Sequence, residues 1–305
     1  MDLRQLRYLT ALARERHFAR AAESCHVSQP TLSARIRQLE DELGVAIVRR
    51  GQRYEGLTPE GERVLAWARR IISDCDALIQ EASSQVTELT GTLSIGVIPS
   101  ALPLVPLLTR TFLQRYPAVF VEALSLSSIE IQRQLDAYSI DGGITYLDNE
   151  PLRNVRRLPL YSEGYVLFTP VTGPLGNRES VTWNEAAETP LCLLTPEMQN
   201  RRIIDEIFQG VGSTPTPEIE TNSMITLYAH VRSGRWSSVM PQAMVDVLGV
   251  PEGLAAVPLV EPMIHHDIGL VISDRDPPTP MARALLAVCA SPELQDQLNA
   301  VMAAA

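Results

Sequence analysis

The chain of 305 residues contains no lysine; all 26 of its cations are arginine. That absence excludes a Walker phosphate loop, a Schiff-base lysine and attachment of pyridoxal phosphate, each of which needs an ε-amino group. No G-x-G-x-x-G opens a strand–turn–helix unit, so nucleotide chemistry has no support. Cysteine is scarce. Cys25, Cys75, Cys192 and Cys289 stand far apart and form no C-x-x-C pair, which argues against disulfides and structural zinc. No run of 18 apolar residues occurs, and the N-terminus is polar and arginine-rich without an apolar signal core. The expectation is a cytoplasmic protein with no membrane span.

What is present is ordinary for a globular protein. The chain is 45% hydrophobic and 20% charged, and it is long enough for two or three units with their own cores. Its net charge of −10 opposes general attraction to polyanions, but the charge is unevenly spread. Residues 1–58 hold ten Arg against seven acids, a net of +3, and the remainder carries a net of −13. Only the first segment has the sign that DNA attracts.

Residues 16–58 carry the densest pattern. Two short apolar-faced helices joined by a tight polar turn, then an arginine-rich loop, suit a helix laid in a DNA major groove beside a basic wing. Ser28 can cap a helix through its hydroxyl, and Pro30 is tolerated in a first turn that needs no backbone N–H. Leu32, Ile36, Leu39 and Leu43 recur at spacings of four, three and four, one stripe of a helix. Gln29, Thr31 and Ser33 lie around the exposed rim, with Pro30, Ala34 and Arg37 on the face opposite the stripe. Gln can pair with adenine edges, while Ser, Thr and Arg reach phosphates, bases or a thymine methyl. The candidate contacts are Ser28, Gln29, Pro30, Thr31, Ser33, Arg35 and Arg37 on the helix, and Arg50 and Arg53 in the loop. Any one of these features reads as a small helical subdomain with a solvated face; their combination does not. Ala21-Ala22 permits close helix crossing, Val27 plugs the turn, and Gly44 stops the helix. Arg49, Arg50 and Arg53 precede Thr58-Pro59, which starts another helix.

On these motifs the first 90 residues resemble the DNA-binding domain of the LysR-type transcriptional regulators. The resemblance rests on Leu3, Leu6, Tyr8 and Leu9, Phe18 with Ala21-Ala22, Ser28-Gln29-Pro30, Leu39-Glu40, Leu43-Gly44 and Leu57-Thr58-Pro59-Glu60-Gly61. It continues more loosely to the C-terminus. Ala34 departs from it, standing where a basic residue is common, and so does Ile47-Val48, where Leu-Phe is usual. The resemblance implies an α/β multidomain chain: an all-α winged helix-turn-helix head at 1–58, a linker and dimerisation helix at 59–90, and an effector-binding domain at 91–305. It further implies a homodimer or homotetramer that meets a pseudo-palindromic double-stranded DNA site, acts with RNA polymerase and needs no cofactor. Some LysR-like proteins sense oxidants through a cysteine pair. Here Cys192 sits in the apolar run Leu191–Leu194 and Cys289 in a C-terminal helix, and both read as buried packing.

From Thr58 to about Leu89 the sequence reads as one helix. Val64, Ala68, Ile71, Cys75, Leu78 and Ala82 alternate steps of four and three, the seam of a coiled coil. Packing of this helix on its own domain is the alternative; its length and its place between oppositely charged units favour pairing. Thr90-Gly91-Thr92 reads as a hinge.

Beyond Gly91 the period changes. Leu93–Val97, Val119–Leu124 and Gly143–Tyr146 read as buried strands around helices near 103–116 and 127–138, an order that makes a parallel sheet. Strands near 165–169, 191–194, 218–221 and 236–240, with helices near 198–209 and 223–232, form a second set. Ile268–Ser273 and helices from Pro280 return to the first lobe. Lobe I is thus about 91–161 and 268–305, and lobe II about 162–267, a two-lobed form similar to periplasmic solute-binding proteins. Ligands sit beyond the carboxyl ends of such strands, against helix starts. That address selects Ser100, Ser127, Ser128, Tyr146, Thr195, Gln199, Asn222 and Ser223 as effector contacts. By the resemblance, Ser100 and Thr195 match positions that commonly touch effector. Trp236 replaces a common small Gly and either narrows the cleft or packs under its strand. Helix starts favour negative charge, no aromatic cluster selects a flat ring, and the expected effector is a small anion.

Other classes fit less well. His265-His266-Asp267 is the only histidine cluster, lacks further metal ligands at suitable spacing and reads as a solvated hinge. Asp136 with Asp141, or Glu218 with Glu220, are acid pairs of the kind any surface produces, so an enzyme is not expected. A solute receptor without a DNA role would fit the C-terminal two-thirds but not the head.

Overall fold

The computed structural model describes residues 1–49, 54–82, 89–148 and 152–303. Its chain divides into two compact units, the first built from the N-terminal helices and the second from residues beyond Glu88.

In the first unit, α1 (Leu3–Glu15), α2 (Phe18–Ser24) and α3 (Gln29–Leu43) pack around Leu6, Leu9, Leu12, Ala21, Leu32, Ile36 and Leu39. The starts are fixed locally. Asp2 and Gln5 form a capping box on α1, and the Ser28 hydroxyl accepts from Thr31 N at 3.3 Å on α3. Gly44, at φ +68°, ends α3 in the left-handed conformation that glycine adopts most easily. Leu43, read as the last residue of the apolar stripe, is 40% exposed instead, because the stripe outlasts the core beneath it. A wing begins where Val48 bridges Leu57 antiparallel. Its base hangs on Glu40, whose buried carboxylate accepts from Ile47 N at 2.7 Å and Val48 N at 3.0 Å.

Thr58 then caps α4 (Pro59–Ala82), its hydroxyl accepting from Gly61 N at 2.9 Å. A Cβ on Gly61 would lie 2.1 Å from the Ile47 carbonyl oxygen, so only glycine fits that crossing. The expected extension of this helix toward Leu89 lies outside the described residues between Ala82 and Leu89. Gly91-Thr92, read as a hinge, belongs to the first strand.

The second unit has two lobes. Lobe I holds β1 (Gly91–Val97), α5 (Val105–Arg115), β2 (Val119–Ser125), α6 (Ser128–Asp136), β3 (Gly142–Tyr146) and β4 (Val155–Glu163). In lobe II follow β5 (Tyr165–Pro170), β6 (Val181–Thr182), α7 (Trp183–Ala187), β7 (Cys192–Leu194), α8 (Gln199–Gly210), β8 (Ile219–Thr221) and α9 (Met224–Arg232). It closes with β9 (Ser238–Pro241), α10 (Gln242–Leu248) and β10 (Leu254–Val260), and β11 (His266–Ser273), α11 (Pro280–Cys289) and α12 (Pro292–Ala303) return to lobe I. The lobe I sheet runs β2-β1-β3-β11-β4, with β11 antiparallel to both neighbours, so it is mixed rather than purely parallel. β2 is its edge and is largely exposed, not a buried strand. Lobe II pairs β6-β10-β5-β9 with a separate parallel β7-β8. The chain crosses between lobes at Gly164 and again at 261–265.

Candidate functional site

Two faces bear on function. On α3, Ser28, Gln29, Pro30, Thr31 and Arg37 are exposed, and Ser33 is half-buried. Arg35 is turned along the head's own flank, 3.1 Å from Gln38 Oε1 and 4.0 Å from Asp2. Arg50 and Arg53 lie outside the described residues. Arg49 is the wing cation whose place is defined, its Nε donating to the Leu57 carbonyl at 2.9 Å.

α4 divides the expected seam. Ala68 is fully buried, and Val64 and Ile71 pack with it on the head's own core. Cys75 is half-buried, and Leu78 and Ala82 are exposed. The apolar side chains left uncovered are Trp67 at 62%, Leu78 at 69% and Ile79 at 59%. Trp67 was not in the stripe because spacing alone cannot tell which of two adjacent faces the chain itself covers.

The second face is a small, narrow pocket between the lobes, partly open to solvent. Lobe I supplies Pro99-Ser100 after β1, Ser127-Ser128 before α6, and Tyr146 at the end of β3. Lobe II supplies Leu194 and the start of α8, Met198-Gln199-Asn200. β1, β2 and β7 each lead from here into a helix, and β3 leads into the connection to β4, so strand ends and helix starts meet as open α/β sheets offer them to a ligand. Ser100, Ser127, Ser128, Tyr146 and Gln199 are thus brought together from distant parts of the chain. Thr195 sits beside them with its hydroxyl buried and without a partner among the described residues.

Asn222, Ser223 and Trp236 are elsewhere. Asn222 is exposed, and Ser223 caps α9 by accepting from Thr226 N at 3.4 Å. Trp236 donates to Glu218 Oε2 at 2.9 Å, with the Arg235 guanidinium 5.1 Å from its ring. It packs on the lobe II core and leaves the pocket alone. Glu218 and Glu220 are claimed by different arginines, Arg235 and Arg201.

The two helix starts differ electrostatically. At α6 the Glu130 carboxylate already accepts from Ser127 N at 3.0 Å and from its hydroxyl, so the dipole there is compensated. At α8 Met198 offers no side-chain cap and the first turn holds no acid. Gln199 stands there almost fully buried, its Oε1 without a partner among the described residues.

Beneath the pocket lies a polar floor, of which only Tyr146 was among the expected contacts. Tyr146 donates to the buried Glu163 at 2.6 Å and accepts from Asn200 Nδ2 at 3.0 Å, a hydrogen bond from lobe II to lobe I. Burial pushes the Glu163 carboxyl up to about 7, although the hydrogen bond from Tyr146 and the nearby Tyr161 phenol pull it down. His266, expected in a solvated hinge, is largely buried at this floor, with Nδ1 2.9 Å from Asp148 Oδ2. Asn200 and Glu163 were not among the expected effector contacts. A lone acid flanked by Tyr161 and Tyr165 at a lobe crossover was the available signal.

The chain matches two family models: "Bacterial regulatory helix-turn-helix protein, lysR family" over residues 3–62 and "LysR substrate binding domain" over residues 87–291. It is 32% identical over 283 residues to the hydrogen peroxide-inducible genes activator of Pectobacterium carotovorum, covering 91% of this chain and 92% of that protein. It is 30% identical over 298 residues to a probable nitrogen assimilation transcriptional activator of Synechococcus elongatus, covering 95% and 94%. A full-length OxyR variant from Pseudomonas aeruginosa superposes with a TM-score of 0.79 at 28% identity, covering 97% and 98%. Head, two-lobed domain and full-length likeness agree, and the chain belongs to the LysR family of DNA-binding transcriptional regulators.

Proposed function

We propose that this regulator reads double-stranded DNA with the exposed start of α3 and the wing, pairs with a second copy through α4, and is controlled by a small anion held between its two lobes. The observation that carries the effector reading is the α8 start. It is an uncapped twelve-residue helix whose first residue, Gln199, is buried with a vacant acceptor, facing Ser100 and Ser128 across the pocket. An amide in that place can turn either its oxygen or its NH2 to a ligand. Occupancy would stabilise one lobe closure over another, and DNA and effector must then affect each other's affinity reciprocally. The protein would act in the cytoplasm, as a homodimer or homotetramer on a pseudo-palindromic site together with RNA polymerase. Calorimetry with small carboxylates, neutral amides and cations of matched size tests the pocket; binding of only neutral or cationic compounds would sink it.

On DNA, Gln29→Ala is expected to lose about 1–3 kcal/mol at the specific site and little on random duplex, because it removes base-edge hydrogen bonds. Equal losses on both duplexes in a gel shift would show that Gln29 does not read sequence.

Relatives whose names include hydrogen peroxide raise a second reading, oxidation of a thiol in the effector domain, and the two cysteines there, Cys192 and Cys289, speak against it. Burial pushes Cys192 up to about 11 and Cys289 up to about 12, and both are enclosed in packed cores. The thiolate is the reactive species, so neither is poised to react. Peroxide added to a protein carrying Cys25→Ser and Cys75→Ser, which removes the half-buried thiols of the head and α4, is expected to leave DNA binding unchanged; a shift abolished by Cys192→Ser or Cys289→Ser would overturn this.

A further inference from the structure

Glu163 ends β4 at the first lobe crossover and is fully buried. Its Oε1 accepts the Tyr146 hydroxyl, while Oε2 is buried without a hydrogen-bond partner among the described residues. Tyr146 lines the pocket, 3.0 Å from Asn200 Nδ2 and 3.5 Å from Ser100 Oγ. An anion seated against Ser100 and Asn200 is therefore two hydrogen bonds from this carboxyl.

No cation intervenes among the described groups that surround it. The chain has no lysine, and Arg201, beside Asn200, is committed to Asp205, Glu220 and the Leu194 carbonyl. The titratable groups facing Glu163 are Tyr146 from β3, Tyr161 from its own strand and Tyr165 from β5, phenols that burial keeps protonated. Next to them are Asp148, which follows β3 and is paired with His266 of β11, and His265, against Gly164. With the carboxylate ionised, an anion would meet a second negative charge across one phenol in a poorly polarisable medium, where like charges repel strongly.

Resting on the anion pocket argued above, we propose that Glu163 sets the charge the pocket accepts: protonated, it lets an anion be held; ionised, it expels one; effector binding therefore takes up a proton from solvent. It acts through Tyr146 as a positioning group and does not itself line the pocket. The raised acidity constant near 7 puts the change within the ordinary cellular range. The sign follows from linkage. Below about 7 the free protein already carries the proton and anion affinity is at its maximum. Above it the proton must be supplied on binding, and affinity falls by up to about tenfold per pH unit.

The test is calorimetry of the full-length protein with sodium acetate, and with acetamide as the neutral control. It is run near pH 6 and near pH 8, in two amine buffers of different ionisation heat that report proton uptake. Acetate should weaken about tenfold at the higher pH, with close to one proton taken up there, while acetamide is indifferent to pH. Glu163→Gln should bind acetate equally at both values and take up none, and Glu163→Asp should restore the pH dependence. Acetate binding to the wild type without pH dependence or proton uptake overturns the coupling and leaves the anion pocket standing. If acetate binds neither the wild type nor Glu163→Gln at either pH, the anion pocket falls, and the coupling with it.

Discussion

Glu40→Ala should cost the head about 2–5 kcal/mol and abolish specific DNA binding before the second unit unfolds. Ile47 and Val48 are both buried, and their N–H groups converge on a single carboxylate oxygen of Glu40. Alanine leaves both donors inside the protein, and each unsatisfied buried donor costs about 1–3 kcal/mol. The damage reaches function because these residues begin the wing. Val48 bridges Leu57, and the Ile47 carbonyl accepts from Thr58 N at 2.9 Å. Glu40→Gln keeps an acceptor at the same place and should lose much less, since only the charge-assisted part of the bonds goes. Denaturant titration that follows the head transition, paired with a gel shift, measures both quantities. An alanine variant that melts with the wild type and still selects its site would mean that water replaces the carboxylate and the wing stands without it.

Local chemistry was the readable part of this sequence. Ser28, Gly44 and Thr58-Pro59 mark helix ends by hydrogen bonds that their own neighbours complete, and each acts as its side chain and backbone dictate. Proline hid two strands. Pro159 stands within β4 and Pro258 within β10, where a missing N–H argues against a central strand. β4 is the edge of its sheet, bonded only to β11, and the register also shifts between Ile268 and Gly269 opposite Pro159, so edge and irregularity together admit the proline. The ladder that rescues a proline belongs to the partner strand, so no reading of β4 by itself could find it.

The site was legible to the extent that sheet topology placed it. Ser100, Ser127, Ser128, Tyr146 and Gln199 stand where strands end and helices begin, and the fold gathers them. Asn222 and Ser223 follow β8 at an equivalent strand-to-helix position, yet the lining of the pocket comes from the end of the neighbouring β7 and the start of α8, while Trp236 precedes β9 at a helix-to-strand turn. Glu163 was invisible for the opposite reason. Its meaning comes from Tyr146, which meets it from another strand, and from Asn200, which bonds that tyrosine only after the lobes form.

The same ambiguity of faces decides how pairing through α4 should be tested. Ile71 lies on the expected seam but packs against the head core, so a charge there would unfold the head and say nothing about a partner. Leu78 is 69% exposed in the single chain, and Trp67 is 62% exposed. Eleven residues separate them, close to three full turns, so both lie along one side of the helix. Leu78→Asp is therefore expected to leave head stability within about 0.5 kcal/mol, as an exposed substitution does. It should dissociate the dimer, because two-fold pairing would bury the two carboxylates together at a cost of several kcal/mol. Binding to a paired half-site duplex should fall about a hundredfold or more, since the second head no longer binds at high effective concentration. Affinity for a single half-site should hardly move. Sedimentation of the variant at micromolar concentration, beside binding to one-site and two-site duplexes, separates these quantities. A Leu78→Asp protein that still sediments as a dimer and keeps its two-site affinity would show that this side of α4 faces solvent in the working regulator and that its partner is held elsewhere.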